Sequence, residues 1–311
     1  MFLLVYSSRV TWFTDRHCFD LAVFLYGLST LYSIFLLRKG FRKDNRINYC
    51  LLLVAFSFHT AAMFKRGFSL QRCPINNLYE ATTFISWTIV TAYLLFGSWS
   101  RLRFLGAFAS PLLLAMGVFA LMPSLDVQAG TPNFTGGLAS LHKALILLSF
   151  GAFGLSSIAG VMYLTQEHDL KFHKARAIFS LLPPIQRLEL IMGRLLAAGF
   201  CLLSAGLIVS SIFLKQTRKV YFTSDAEMLY SVFVWVLYLG LLVSRWRFSQ
   251  RGRRFAWGAV GGFAFLMLTF WGVYLLSDIH SPRDKSPPPP ANSQARNSAA
   301  VSVWVTTAST A

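Results

Sequence analysis

Acidic residues are scarce in this chain, with 12 Asp and Glu against 29 Lys and Arg among 311 residues. No paired carboxylates lie in its apolar runs, so general acid–base chemistry by two acids has no candidates there. The four cysteines form no Cys-x-x-Cys pair, which removes both a zinc ribbon and a thioredoxin-like redox motif. There is no His-x-x-x-His pair for a helical zinc site, no glycine-rich phosphate loop ahead of a helix and no nucleophile elbow. A cleavable signal peptide is not expected, because the first apolar stretch follows Arg9, Asp15, Arg16 and His17 and lacks a small-residue cleavage site.

What the chain has is apolar length. Hydrophobic residues make up 55% of it and aromatics 15%, the profile of an integral membrane protein. Eight apolar runs, 19–37, 47–64, 80–97, 103–122, 138–164, 188–214, 226–246 and 254–277, approach the roughly 20 residues that a helical span needs. The expected fold class is therefore all-α, a polytopic membrane bundle of eight transmembrane helices forming one domain over 19–280. An external segment 1–18 precedes it. The tail 281–311, with four consecutive prolines from Pro287, has too little apolar surface to offset its ordering entropy and reads as disordered.

The net charge of +17 needs no nucleic acid, because loop cations that fix topology and meet anionic lipid account for it. The 38–46 loop carries Arg38, Lys39, Arg42, Lys43 and Arg46, and the 245–254 turn carries Arg245, Arg247, Arg251, Arg253 and Arg254. Basic residues beside helix ends resist translocation, so both loops are expected in the cytoplasm and the topology N-out, C-out. Lys65, Arg66, Arg72, Lys215, Arg218 and Lys219 then lie outside. Cys18 and Cys73 fall on that oxidising side, where a disulfide is permitted. Cys50 and Cys201 read as buried apolar positions.

Histidines offer the chemistry. His59 lies inside a span, where an ionisable residue usually faces the bundle interior; the plain alternative is a neutral ring satisfied by a neighbouring helix. His142 opens the fifth span and His280 closes the eighth, both at the outer surface. Two imidazoles at one membrane face can supply opposite axial ligands to a haem iron, although for either histidine alone a solvated helix end is the commoner explanation. Arg16, Lys65, Arg66 and Arg72 lie on the same side and are candidate propionate contacts. His17, His168 and His173 read as interfacial or solvated.

The order of several segments carries a resemblance. His59-Thr60, Arg66-Gly67, Pro74-Ile75-Asn76-Asn77-Leu78-Tyr79-Glu80-Ala81 and Phe84-Ile85-Ser86-Trp87 come first. Leu141-His142, Leu182-Pro183-Pro184 with Glu189, Trp235, Arg251-Gly252-Arg253-Arg254 and Phe270-Trp271-Gly272-Val273 through Ile279-His280-Ser281 follow. Together, from about His59 to His280, they resemble the cytochrome c assembly proteins of the CcsA/ResC type, with their HemX-like and YpjD-like relatives. Local physics agrees at the helix ends: Pro183 and Pro184 suit a helix start, Gly252 suits a tight turn, and Asn76-Asn77 favours a turn before Tyr79.

The resemblance implies a membrane component of cytochrome c biogenesis in the bacterial cytoplasmic (inner) membrane. It would bind, translocate or position haem b, with His142 and His280 as external ligands and His59 as an intramembrane one. Partners implied are haem, apocytochrome c and a membrane protein with a large external domain. One departure matters: where haem-delivering members carry a tryptophan-rich segment, this chain has Lys215 to Asp225, with only Tyr221 and Phe222 as aromatics. A second intramembrane histidine is also missing, with Val243 near its place. Alternatives are a HemX-like, non-catalytic regulator or scaffold in tetrapyrrole metabolism, or a small-solute transporter, for which Pro111 and the glycines of the fifth span are the pointers. No independent catalytic nucleophile is seen.

Overall fold

A computed structural model describes residues 14–38, 46–70, 75, 77–97, 105–126, 137–171, 184–219, 226–247 and 252–276. Among these the protein is all-helical. The elements are α1 (Asp15–Arg38), α2 (Arg46–Leu70), α3 (Leu78–Gly97), α4 (Leu105–Ala120), α5 (Gly137–Lys171), α6 (Ile185–Arg218), α7 (Ala226–Arg247) and α8 (Arg253–Leu276), with a short 3-10 helix at Pro123–Leu125 after α4. Each apolar run became one helix. Six helices, α1, α2, α5, α6, α7 and α8, are long and apolar enough to cross a membrane. Of the other two, α4 has 16 residues, or about 24 Å of rise against a hydrocarbon core of about 30 Å. The remaining helix, α3, is diluted by Glu80 and a series of threonines. At 35 and 34 residues, α5 and α6 are about 50 Å long and outreach a bilayer core.

Consecutive helices run antiparallel. Ser156 bonds the Met192 carbonyl and His142 that of Gly206 across α5 and α6, while Trp235 bonds Ser204 and Arg245 the Glu189 carbonyl across α6 and α7. Helix ends therefore fall at two levels. The near end gathers the starts of α1, α3, α5 and α7; the far end gathers the residues that flank both arginine-rich connections, 38–46 and 245–254. Trp246, 93% exposed, stands at the far end of α7 beside Arg247, the position of an interfacial aromatic anchor.

One continuous core joins an α1–α4 half, with Tyr26, Ile85, Ile89 and Leu113, to an α5–α8 half, with Phe153 and Tyr238, whose rings stack at 3.5 Å. Gly199 makes that stack fit, since a Cβ there would lie 2.6 Å from the Phe153 ring. The halves meet where α3 and α4 pack on α5 and where Phe119 of α4 stacks on Trp271 of α8 at 3.8 Å. Local expectations from the helix ends hold: α6 starts after Pro184, Asn77 precedes α3, and Gly252 adopts φ 75°.

Two expectations are corrected. Cys50 and Cys201 are exposed rather than buried, because in an apolar bundle the outward faces are apolar too and hydrophobicity does not report burial. Pro111 does not interrupt α4, which runs through it. The tail 281–311, Cys73, Arg72, His173 and His280 lie outside the described residues; Cys18 is buried.

Candidate functional site at the near end

The buried face of α2 runs Asn48, Leu52, Ala55, His59, Ala62, Arg66. Intervals of three and four keep them on one line of the helix. Three polar groups therefore share one inward stripe: Asn48 at the far end, His59 in the middle and Arg66 at the near end.

His59 has 0% exposure. Its Nδ1 is 3.0 Å from the Tyr26 hydroxyl, itself fully buried. The edge of Phe19 packs on the imidazole, with ring centroids 5.1 Å apart, and Phe19 in turn meets Tyr79 at 5.6 Å. Among the described residues His59 Nε2 is buried without a hydrogen-bond partner, and the Thr83 backbone is a close neighbour of the ring. A neutral imidazole with one nitrogen fixed and the other unsatisfied is an available ligand or donor.

Above His59, toward the near end, sits an ion cluster. Arg66 donates Nε to Glu80 Oε1 at 2.9 Å, Nη1 to Asp15 Oδ2 at 3.0 Å and to Asp126 Oδ2 at 3.3 Å, and Nη2 to Asp126 Oδ1. Arg16 donates Nε to Asp126 Oδ2 at 3.1 Å and pairs with it through Nη2. Both guanidinium groups also lie over the Tyr79 ring, at 5.3 Å for Arg16 and 4.8 Å for Arg66, a cation–π arrangement. Asn77 holds the cluster and the helix together: its Oδ1 accepts from the Glu80 backbone N–H at 2.7 Å and its Nδ2 donates to Asp126 at 2.9 Å. This is the N-cap of α3. Asp126 titrates accordingly: burial alone would raise its carboxyl, but the hydrogen bonds from Arg16 and Arg66 outweigh burial and hold it below the ordinary carboxylate range.

His142, in the second turn of α5, is half-buried. Its Nδ1 lies 2.9 Å from the Gly206 carbonyl. A carbonyl only accepts, so Nδ1 carries the proton and the neutral ring keeps its lone pair on Nε2. Metal-binding histidines are typically oriented in this way.

The structure thus brings Arg16 and Arg66 together over His59. His142 stands apart from them on α5, and Lys65 is a half-buried neighbour of Cys18. His17 and His168 are at exposed helix ends, paired with Thr14 and Asp169. Val243 is exposed on α7. Sequence reasoning found His59 and Arg66 and missed Tyr26, Asp15 and Asp126. A tyrosine in an apolar run and an aspartate in a connection carry no signal of their own; the intervals 26 to 59 and 66 to 126 become contacts only in the fold.

The sequence profile of the cytochrome c assembly proteins matches residues 75–280. That stretch holds His142 and His280 and leaves out α1 and α2, with Tyr26, His59 and Arg66. The chain is 29% identical over 260 residues to Protein HemX of Brevibacillus brevis, covering 83% of this chain and 95% of the relative. It is 25% identical over 262 residues to Protein HemX of Bacillus subtilis, covering 83% and 94%. Cytochrome c biogenesis protein CcsA of Gloeobacter violaceus is 23% identical over 282 residues, covering 73% and 83%. With well over half of its residues inside the matched stretch, this multi-pass helical chain belongs to the cytochrome c assembly protein family.

Proposed function

We propose that this protein is a membrane component of cytochrome c biogenesis that binds haem and positions or translocates it for attachment to apocytochrome c. It does so as an eight-span bundle, N-out and C-out, in a bacterial cytoplasmic membrane. The observation that carries the reading is His142, whose Nδ1–H is committed to the Gly206 carbonyl so that Nε2 holds the lone pair an iron ligand needs. His280 is the second external ligand in this reading, and His59, with its unsatisfied Nε2, is the intramembrane one.

The residues fit haem unequally. His142 is half-buried at a helix start and would offer Nε2 to the iron in this reading. His59 is packed on all sides by its own chain and takes a ligand only after the near end opens. Neutral imidazoles would hold the haem iron; thioether formation belongs to the apocytochrome's own cysteines, so this chain would position haem and supply no nucleophile. A partner with a large external domain is expected to present the apocytochrome, and the arginine-rich far end meets anionic lipid headgroups.

A second reading has its own support. The two HemX relatives align over 94% and 95% of their lengths, and the connection from Lys215 to Asp225 lacks the tryptophans that would stack on a porphyrin. A non-catalytic regulator or scaffold in tetrapyrrole metabolism fits both facts. Oxidised and reduced absorption spectra of the detergent-purified protein, expressed with ample haem, separate the two. A Soret band with sharp reduced bands that weakens in the His142→Ala/His280→Ala double variant is expected; protein that neither copurifies with haem nor takes it up on reconstitution sinks the haem reading in favour of the regulator.

A further inference from the structure

Five N–H groups close on a single carboxylate at the near end of the bundle. Arg16 Nε and Nη2 reach Asp126 Oδ2, Arg66 Nη1 and Nη2 reach Oδ2 and Oδ1, and Asn77 Nδ2 reaches Oδ1. Guanidinium forks converging on two oxygens are the arrangement by which proteins bind carboxylate ligands. Here the carboxylate is the chain's own. Of the three acids on Arg66, Asp15 and Glu80 belong to the first turns of α1 and α3, so neither can withdraw without its helix. Asp126 follows the short 3-10 helix and lies in no long helix. It can leave by a local movement.

We infer that Arg16, Arg66 and Asn77 form a binding clamp for a carboxylate carried on an apolar body, and that Asp126 occupies this clamp as a built-in competitor until such a ligand displaces it. Charge supports an exchange over a simple addition. Among the described residues, with Asp126 in place three carboxylates face two guanidinium groups; when it leaves, Arg16 and Arg66 stand against Asp15 and Glu80, and one incoming carboxylate restores the original count. The apolar requirement comes from the floor of the clamp. Tyr79 lies under both guanidinium groups, and Phe19, Ala62, Ala120 and Leu125 pack around it, so only a ligand with an apolar body gains from reaching further in. Phe19 packs in turn on His59. This rests on the haem reading above, since a haem propionate has this chemistry, and it names Asp126 as the group with which the propionate trades places. A fatty acid shares the chemistry.

The test uses metal-free protoporphyrin, which takes no histidine ligand, its dimethyl ester, and oleate as competitor. Binding of the porphyrins to the full-length protein in an uncharged detergent is followed by fluorescence anisotropy. Asp126→Asn should bind the free acid at least about tenfold more tightly than wild type, the scale of one hydrogen bond to a charged group, and bind the ester equally. Arg16→Gln should weaken the acid and leave the ester alone. Arg16 is the partly exposed member, at 35% for its side chain, and its loss leaves Arg66 paired, so it decides the matter even where Asp126→Asn does not fold. Acid and ester behaving alike in both variants, in a protein whose haem spectrum still depends on His142, overturns the clamp alone. Binding of neither porphyrin overturns the clamp and the haem reading together. Oleate displacing the acid porphyrin at equal concentration, with the same dependence on Arg16, overturns the haem side and assigns the clamp to a lipid carboxylate.

Discussion

Arg66 lies on the inward face of α2 with 7% of its surface exposed, a place where an unpaired cation would be strongly destabilising. It persists because Asp15, Glu80 and Asp126 surround it, and of these Asp126 is the one that Arg16 also holds. Its carboxyl is held below its usual range in the folded protein by Arg16 and Arg66, against the opposing effect of burial. The unfolded chain therefore takes up the proton first. Asp126's contribution to stability is complete above the unfolded value of about 4 and disappears as pH falls through the lower folded value. Thermal unfolding in detergent should accordingly show a midpoint that is flat from about pH 7 to 5 and drops below about pH 4, and Asp126→Asn should flatten the drop. An unchanged acid limb in that variant would show that other carboxylates govern it. His59 was legible because a histidine in an apolar run stands out. Its partner Tyr26 and the acids of Arg66 were not, because their roles depend on contacts across long stretches of sequence.

At the scale of elements, apolar run length located all eight helices, since a hydrocarbon solvent forces the backbone to satisfy itself within each segment. It misjudged their ends and their relative closeness. The polar last turns of α5, with Gln166, Glu167, His168 and Asp169, lie beyond the apolar run, yet the helix continues to Lys171. Closeness was hidden because it depends on which glycine faces which ring. Gly199 of α6 meets α5 where a Cβ would be 2.6 Å from Phe153 and 3.2 Å from the Ser149 carbonyl. Gly199→Val should push Phe153 off Tyr238 and destabilise the α5–α8 half by about 1–3 kcal/mol, the usual cost of overpacking. Gly261→Ala is the matched control: no atom lies within 4 Å of its added Cβ, so its unfolding temperature should stay within about a degree of wild type. Equal effects at the two sites, read by thermal unfolding in detergent, would remove close packing as the reason for Gly199.

The whole molecule inherits a direction from these parts. Antiparallel packing puts the residues flanking the 38–46 and 245–254 connections, with their ten arginines and lysines, at the far end, and the Asp126 cluster and the start of α5 with His142 at the other. In the proposed N-out, C-out topology the positive-inside rule turns the far end to the cytoplasm. Under that orientation the clamp and His142 face the compartment where an apocytochrome receives haem, and His59 lies beneath Tyr79 and Phe19 on that side. The opposite orientation would leave the same contacts intact but make the clamp a cytoplasmic entry. Cysteine labelling in a background with Cys18, Cys50, Cys73 and Cys201 replaced by serine distinguishes the two. Met122 at the near end and Gln186 in the first turn of α6 are both exposed, so each tolerates a cysteine with little effect on packing. A membrane-impermeant maleimide should label Met122→Cys in intact cells and Gln186→Cys only after permeabilisation. The reverse pattern would overturn the orientation and turn the carboxylate exchange at Asp126 into a step of uptake from the cytoplasm instead of one of presentation outside.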